Sequence, residues 1–227
     1  MKPIKINHDP EKIVFLSDWH ANQDKEFVYG VRGFSSQKDH DDYMFEQWEQ
    51  RIDSDTIVFN LGDTTFKDPK GEMFEKIASL TCSVQNIISG NHRSGEKQCY
   101  ARAVAENYPE LAGRRVEIYP LSFRNINFLG NLRYILINGQ FCVLSHFPQR
   151  VWEEMGHGSW SLSGHSHGSD AERNWDRTDC GKALDVGVDN CLKNLNSPFV
   201  SFKELQKLMQ QRPIKLLDHH DSKTSRS

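Results

Sequence analysis

The stretch TIVFNLGD, residues 56–63, runs from β-branched and aromatic residues into an asparagine, a glycine and a carboxylate. An apolar run of this length and composition predicts a short buried strand over residues 56–61. Asp63 then lies where the strand gives way to a loop, with a glycine before it. A carboxylate at that place is a candidate metal ligand, and its two oxygens allow it to bridge two ions.

The same pattern recurs upstream and downstream of this stretch. The apolar run KIVFLS, residues 12–17, predicts a strand that leads to Asp18 and His20, and residues 83–89 predict a strand that leads to Gly90-Asn91-His92. Side chains at i and i+2 of a strand end point to the same side, so Asp18 and His20 can reach one ion.

Two more blocks follow in the second half of the chain. Asn138-Gly139 separates the apolar runs 132–137 and 140–145, which predicts a hairpin with a type I′ turn that leads to His146. Residues 160–163 lead to His165 and His167. Of the ten histidines, five therefore follow an apolar run or a glycine, and this repetition favours metal ligation over isolated polar roles.

Helical patterns separate the first three predicted strands, over residues 39–53 and 71–80, and a third helix is predicted over residues 96–107. Alternating strands and helices indicate an α/β fold, in which loops at the carboxyl ends of strands build the functional site. Another core strand is predicted over 183–188, and Ser201 and Glu204 predict a capping box that begins a closing helix. We expect one domain over residues 1–210 and a polar, frayed C-terminal tail over 211–227.

Composition excludes several classes of protein. The chain has 227 residues and a net charge of -3, so it lacks the basic footprint of proteins that grip a nucleic-acid backbone. It contains no apolar run near 18 residues, which argues against a membrane span. The five scattered cysteines (Cys82, Cys99, Cys142, Cys180 and Cys191) predict reduced thiols and a cytoplasmic location.

The candidate ligands are imidazoles, carboxylates and one amide, without cysteine. Such a set suits manganese first, with iron, zinc, cobalt or nickel as alternatives, and argues against a structural zinc finger. The set is too large for one ion, so we expect two divalent metal ions, a pair suited to in-line attack at phosphorus.

The blocks Asp18-x-His20, Gly62-Asp63, Gly90-Asn91-His92, His146 and Gly164-His165-x-His167 together resemble the calcineurin-like metallophosphoesterase superfamily. Within it the chain is most similar to small, single-domain phosphoesterases of bacteria and phages. That similarity extends to Arg32-Gly33-Phe34, to the run from Leu144 to Pro148 and to the run from Val186 to Asp189. The resemblance implies a two-sheet mixed β-sandwich flanked by helices, the four-layer metallophosphoesterase fold.

The resemblance also implies roles for the residues of these blocks. Asp18, His20, Asp63 and His167 would bind one metal ion, and Asp63, Asn91, His146 and His165 would bind the other. The two ions would acidify a bridging water, whose hydroxide attacks phosphorus in line. His92 would protonate the leaving oxygen or stabilise its charge.

Three further residues are candidates for binding substrate. Arg93 stands where members of the superfamily often have an acid, and it either holds the substrate phosphate or is a solvated loop residue. Arg32 is a candidate phosphate or lid contact. His157, between two glycines that suit a mobile loop near the site, is a candidate for binding substrate or supporting a ligand, with a surface-loop role as the alternative. The residues after Asp63, Thr64 and Thr65, differ from the arginine-containing continuation of Ser/Thr protein phosphatases, which argues against that activity.

The leading hypothesis is an enzyme, a dinuclear metal-dependent phosphoesterase acting on a small phosphate ester, either a phosphodiester or a nucleotide. A single-domain nuclease on short single strands is the alternative within catalysis. A catalytically silent scaffold of the same fold is the alternative outside it, and the oligomeric state stays open.

Overall fold

The computed structural model describes residues 1–176 and 181–215. Its strands are β1 (Ile4–Ile6), β2 (Ile13–Leu16), β3 (Ile57–Asn60), β4 (Val84–Ile88), β5 (Leu121–Phe123), β6 (Ile126–Gly130), β7 (Leu132–Ile137), β8 (Gln140–Ser145), β9 (Trp160–Ser163), β10 (Ala183–Asp185) and β11 (Val200–Ser201). Its α-helices are α1 (Glu26–Tyr29), α2 (Gln37–Arg51), α3 (Glu72–Ala78), α4 (Ser94–Asn107), α5 (Val188–Leu195) and α6 (Phe202–Gln210).

The strands form two mixed sheets. In the six-stranded sheet the order is β11-β2-β3-β4-β6-β5, with β2, β3, β4 and β6 parallel and both edge strands antiparallel. In the five-stranded sheet the order is β1-β7-β8-β9-β10, and only the β7–β8 hairpin is antiparallel. The predicted α/β sandwich of two mixed sheets flanked by helices is therefore present.

Strand β2 shows why the two faces of the six-stranded sheet are both buried. Ile13 and Phe15 pack into the main core with residues of both sheets, including Ile135 and Leu162. Val14 and Leu16 point the other way, because successive side chains of a strand alternate. Each such fully buried side chain contributes about 1.5–3 kcal/mol from removal of apolar surface from water.

The outer face of the six-stranded sheet is covered by helices. Met44 and Trp48 of α2 pack against Val14 and Val58. Helix α2 begins after Ser36, whose hydroxyl accepts a hydrogen bond from the backbone N–H of Asp39. Helices α3 and α4 pack around Phe74 and cover the β4 and β6 end of the sheet.

The predicted elements with strong local signals are present, with ends shifted by a few residues. The predicted hairpin has the expected bounds, and its turn residues Asn138 and Gly139 have φ of 47° and 88°, as a type I′ turn requires. The capping box at Ser201 and Glu204 is also present. Strands β1, β5, β6 and β11 and helices α1 and α5 were not predicted, since each is short or lacks a distinct period.

The start of the predicted tail is not frayed. Arg212 is buried and donates hydrogen bonds to the carbonyl oxygens of Ala183, at 2.8 Å, and Gly181, at 3.2 Å. The prediction was wrong for Arg212, because a guanidinium can bind several backbone carbonyls that no sequence pattern marks. The rest of the predicted tail, residues 216–227, lies outside the described residues.

The remaining global predictions concern cysteines and membranes. Cys82, Cys99, Cys142 and Cys191 are free thiols, and Cys180 lies outside the described residues. Within residues 1–176 and 181–215, no helix has the length and apolar character needed to cross a membrane.

Candidate metal centre

The carboxyl ends of strands from both sheets meet at one place, and every block singled out from the sequence lies there. Asp18 follows β2, Asp63 follows β3, and Asn91 follows β4 of the six-stranded sheet. His146 follows β8, and the segment with His165 follows β9 of the other sheet. Parallel strands place these ends at the same edge, as the α/β interpretation predicts.

Backbone hydrogen bonds tie the loops of this site to one another. The N–H of His20 donates to the carbonyl of Asp63 at 2.9 Å, and the N–H of Gly164 donates to the carbonyl of His146 at 3.0 Å. The Nδ1 of His146 donates to the carbonyl of Leu61 at 2.9 Å and so joins the two sheets. These bonds hold the side chains in place before any ligand arrives.

Two glycines allow the close approach of the chain segments. A Cβ on Gly90 would overlap the Oδ1 of Asp63, and a Cβ on Gly164 would overlap the Oδ2 of Asp18. Glycine is needed at both positions for steric reasons.

Backbone strain is also concentrated here. Asp18, His20, Asp63, His165 and His167 all have positive φ, between 48° and 67°. Non-glycine residues in this region cost free energy and are concentrated at functional sites. The surrounding hydrogen bonds and packing offset that cost.

Two groups of side chains could each hold a metal ion. Within each group the ligand atoms lie within 4.8 Å of one another; one group is Asp18, His20 and His167, and the other is Asp18, Asp63 and His146. The Oδ2 of Asp63 lies 3.7 Å from the Nε2 of His20 and 3.5 Å from the Nε2 of His146. Asp63, a member of the second group, therefore also lies next to His20 of the first, and Asp18 belongs to both groups.

The chemistry of the donors fits cations at this place. Asp18 is completely buried, and its Oδ1 has no hydrogen-bond partner. Its nearest polar neighbours are the Nε2 atoms of His20 and His167, each at 3.8 Å. An unpaired carboxylate oxygen buried in this way costs several kcal/mol, and a metal ion between it and the imidazoles removes that cost.

The hydrogen bonds of the histidines direct their lone pairs inward. His146 donates from Nδ1 to a carbonyl, so its neutral ring has the lone pair on Nε2, which faces the Oδ1 of Asn91 at 2.9 Å. His167 donates from Nδ1 to the Oδ2 of Asp189 at 2.9 Å, and its Nε2 faces the Nε2 of His20 at 3.2 Å. Acceptors that converge without donors between them are typical of metal ligands.

Burial and charge shift the pKa values of these groups. Burial raises the pKa of Asp18 more than the neighbouring His146 and His167 lower it. Burial also opposes ionisation of Asp63, but the neighbouring His146 and the backbone N–H of His92 outweigh it and lower the pKa to about 2. Burial together with the neighbouring His167 lowers the pKa of His20 to about 3, so this ring is neutral and able to ligate.

Asn91, His92 and His165 form the exposed rim of the centre. The backbone N–H of His92 donates to the Oδ1 of Asp63 at 2.8 Å, so the imidazole takes no part in this bond. The ring of His92 lies 5.5 Å from the ring of His20 and 5.1 Å from that of Phe66. His92 is thus next to the ligands and open to solvent.

Arg32 lies beneath the centre, with a side chain only 1% exposed. Its Nε and Nη2 donate to the two carboxylate oxygens of Asp189 at 3.1 and 2.8 Å, and Nη2 also donates to the carbonyl of Asp18 at 2.7 Å. Its Nη1 donates to His40. The structure therefore places this candidate substrate contact in a buried network and does not bring it to the open rim.

Asp189 is the residue of this network that sequence reasoning missed. It accepts hydrogen bonds from Arg32 and from His167, so it fixes the orientation of a candidate ligand. It ends the run from Val186 to Asp189, which carried part of the resemblance but no assigned role. No local sequence signal marks this role, because the partners Arg32 and His167 lie 157 and 22 positions away.

The other two candidate substrate residues lie in different places. Arg93 is held by Glu96 and by the hydroxyl of Tyr119, each at 3.0 Å from its Nη2. His157 is in a 3-10 helix, Met155–His157, with its side chain 75% exposed and paired with Glu154. The structure does not bring His157 into either group of metal-ligating side chains.

Comparisons with known proteins support the fold and name no function. No model of a protein family matches this chain, and no curated protein matches it. The crystal structure of AQ665, a protein of unknown function from Aquifex aeolicus, is similar with a TM-score of 0.53 and 17% identity, covering 86% of this chain and 98% of that one. At that identity the similarity concerns the fold alone.

Proposed function

We propose that this protein is a dinuclear metal-dependent phosphoesterase of the calcineurin-like metallophosphoesterase type, with a small phosphodiester or nucleotide as substrate. The observation that carries the proposal is the position of the Asp63 carboxylate between His20, which belongs to one group of candidate ligands, and His146, which belongs to the other. The unpartnered Oδ1 of Asp18 supports it, because a cation bound there would offset the cost of burying that oxygen.

The proposed ligand sets are those that the resemblance to the superfamily implies. Asp18, His20, Asp63 and His167 would hold one ion, and Asp63, Asn91, His146 and His165 the other. Asp18 lies close to the second set as well, so it would contribute negative charge to both. When bound, two divalent cations, manganese first, supply Lewis acidity toward phosphoryl oxygens and lower the pKa of a coordinated water.

The residues of the chain provide the remaining functions. The buried ligands fix the geometry, and the exposed rim of Asn91, His92 and His165 lets a phosphate ester approach. The imidazole of His92 donates a proton to the leaving oxygen, a role worth about 10²- to 10⁴-fold in rate. Asp189, itself held by Arg32, binds His167 in the orientation in which its Nε2 faces the centre.

The alternative of a silent scaffold is weaker for a physical reason. A protein that had lost the chemistry would gain stability by losing charges such as the carboxylate of Asp18, which is buried and whose Oδ1 has no hydrogen-bond partner. A cytoplasmic location, which the cysteines predicted, remains part of the proposal.

Hydrolysis of bis-p-nitrophenyl phosphate and p-nitrophenyl phosphate tests the proposal. The chelated protein is repleted with Mn, Fe, Zn, Co, Ni or Mg, and bound metal is counted by mass spectrometry. We expect two ions per chain, metal-restored turnover, loss of binding in Asp63→Asn and loss of turnover with retained metal in His92→Ala.

Two matched control variants make the same substitutions as Asp63→Asn and His92→Ala at positions outside the centre. Asp42→Asn removes an exposed carboxylate paired with Lys38, and His8→Ala removes an imidazole hydrogen-bonded to Asp55. Both are expected to keep metal and turnover. If the wild-type protein binds no divalent metal, the proposal is contradicted. If it binds two ions but cleaves no ester, the result favours the catalytically silent scaffold.

A further inference from the structure

A cavity of about 550 Å³ lies beside the candidate metal centre, on the side of His92. It is formed between α4 and the segment over residues 113–119 that follows this helix. Its lining residues that matter here are Arg93, Lys97, Tyr100, Arg114, Arg115 and Tyr119. Arg93 follows His92 directly in the chain, so the lining of the cavity begins one residue after the residue proposed to serve the leaving group.

The lining of this cavity is strongly cationic. Arg93, Lys97, Arg114 and Arg115 face a single acid of the lining, Glu117. Glu96, outside the lining, neutralises Arg93, and the lining then still has three cations and one carboxylate. This local excess contrasts with the net charge of -3 of the whole chain.

The inner wall of the cavity is rigid. Glu96 is buried and accepts a hydrogen bond from Ser89 at 2.6 Å, and it holds the guanidinium of Arg93 together with the hydroxyl of Tyr119. Within the part of the chain that the structure describes, no protein atom accepts from the Nη1 of Arg93. A pre-oriented guanidinium with an unused donor is suited to bind an anion.

The outer wall is fixed to the inner wall through Tyr100. The hydroxyl of Tyr100 donates to the carbonyl of Ile118 at 3.1 Å and accepts from the N–H of Ile118 at 2.6 Å. These bonds fasten the segment that carries Arg114 and Arg115 to helix α4. The cations of the two walls therefore face a common space.

A second cavity of about 580 Å³ flanks the centre at His167 but has a different charge. Its arginine, Arg32, is neutralised by Asp189, and Lys193 is its other fixed cation. A substrate with one phosphate and a neutral remainder would gain little from the cavity at His92. The asymmetry points to a second anionic group on that side.

We propose that the cavity at His92 binds a second phosphate group, carried by the leaving group of the ester. The substrate class is then a phosphodiester with a further phosphate on the departing part, such as a terminally phosphorylated dinucleotide. This inference rests on the proposed function, since His92 defines the leaving-group side. Arg93 contacts the second phosphate from the inner wall, and Arg114 and Arg115 contact it from the outer wall.

The test compares three dinucleotides that share one scissile diester: TpT, pTpT with a 5′-terminal phosphate, and TpTp with a 3′-terminal phosphate. Charge-assisted hydrogen bonds from two arginines predict that one phosphorylated dinucleotide exceeds TpT by about tenfold or more in kcat/KM. In Arg114→Ala/Arg115→Ala that ratio falls to about one. The double variant Arg102→Ala/Arg124→Ala removes two arginines outside the cavity and keeps the ratio.

A binding measurement separates failure of this inference from failure of the proposed function. Equilibrium dialysis of thymidine 3′,5′-bisphosphate against metal-free protein reports on the cavity alone, because the metal-free centre carries carboxylates that repel phosphate. Weaker binding in Arg114→Ala/Arg115→Ala than in the control supports the cavity even if no diester is cleaved. If the dinucleotides are cleaved, equal rates for all three or a ratio retained in Arg114→Ala/Arg115→Ala overturns the inference. Equal dialysis binding in the two double variants overturns it whether or not a diester is cleaved.

Discussion

Replacement of Asp189 by asparagine tests whether a buried network outside the ligand set holds the candidate metal centre together. The Oδ2 of Asp189 accepts from both the Nη2 of Arg32, at 2.8 Å, and the Nδ1 of His167, at 2.9 Å. An asparagine has the same shape but a single oxygen, so it keeps the bond to the Nε of Arg32 or the bond to His167. Its amide nitrogen then faces a second donor.

The expected cost follows from the burial of Arg32, whose side chain is 1% exposed. Leaving one member of a buried ion pair without its counter-charge costs about 3–5 kcal/mol, and the retained hydrogen bond places this variant near 3 kcal/mol. For a chain of this length that corresponds to a midpoint about 6–12 °C lower on thermal unfolding. Where the amide nitrogen faces His167, loss of the bond that orients this ring lowers metal affinity by about 10- to 100-fold.

Calorimetry of the metal-free protein measures the midpoint of thermal unfolding, and titration with Mn²⁺ measures the affinity for the metal. The matched control is Asp42→Asn, which breaks an exposed i,i+4 pair worth at most about 1 kcal/mol. If Asp189→Asn changes neither quantity more than Asp42→Asn does, the ion pair with Arg32 contributes nothing and the reasoning fails. A stability loss without any change in affinity would refute only the positioning of His167.

Two further changes test the electrostatics and the steric construction of the site. Burial raises the pKa of the Asp185 carboxyl from 3.8 to about 6, so folded protein binds more protons than unfolded protein between these values, and stability falls as pH rises. At about 1.4 kcal/mol per pH unit, the free energy of unfolding of the metal-free wild type should fall by about 3 kcal/mol between pH 4 and 7, and that of Asp185→Asn should not. Urea unfolding at several pH values measures both, and an equal dependence on pH in the two proteins would count against this prediction. Gly164→Ala places a methyl group against the Oδ2 of Asp18 and should abolish metal binding, measured by mass spectrometry. The control Gly139→Ala, at an open turn position with φ of 88°, should cost about 1 kcal/mol and keep the metal; retained metal in Gly164→Ala would contradict the steric argument.

The candidate site was predictable because its ligands are marked by local sequence. Asp18, Asp63 and His146 each follow an apolar strand, and the loops after parallel strands converge at one sheet edge whatever the details of packing. Arg32 was read as an exposed phosphate contact, and the structure buries it instead. Nothing in the sequence around Arg32 distinguishes the two, since the distinction depends on Asp189, which lies 157 positions away.

By itself the sequence determined the alternation of strands and helices, the β7–β8 hairpin and the ends of strands at which the ligands lie. These features depend on periodicity and on turn residues such as Asn138 and Gly139, which act over a few neighbours. Only the tertiary structure decided that Asp63 lies between His20 and His146, that Arg212 is buried, and that Arg114 and Arg115 face Arg93 across a cavity. Those relations depend on contacts between distant segments, whose free energy comes from burial and charge pairing in the assembled fold, and no local pattern records them.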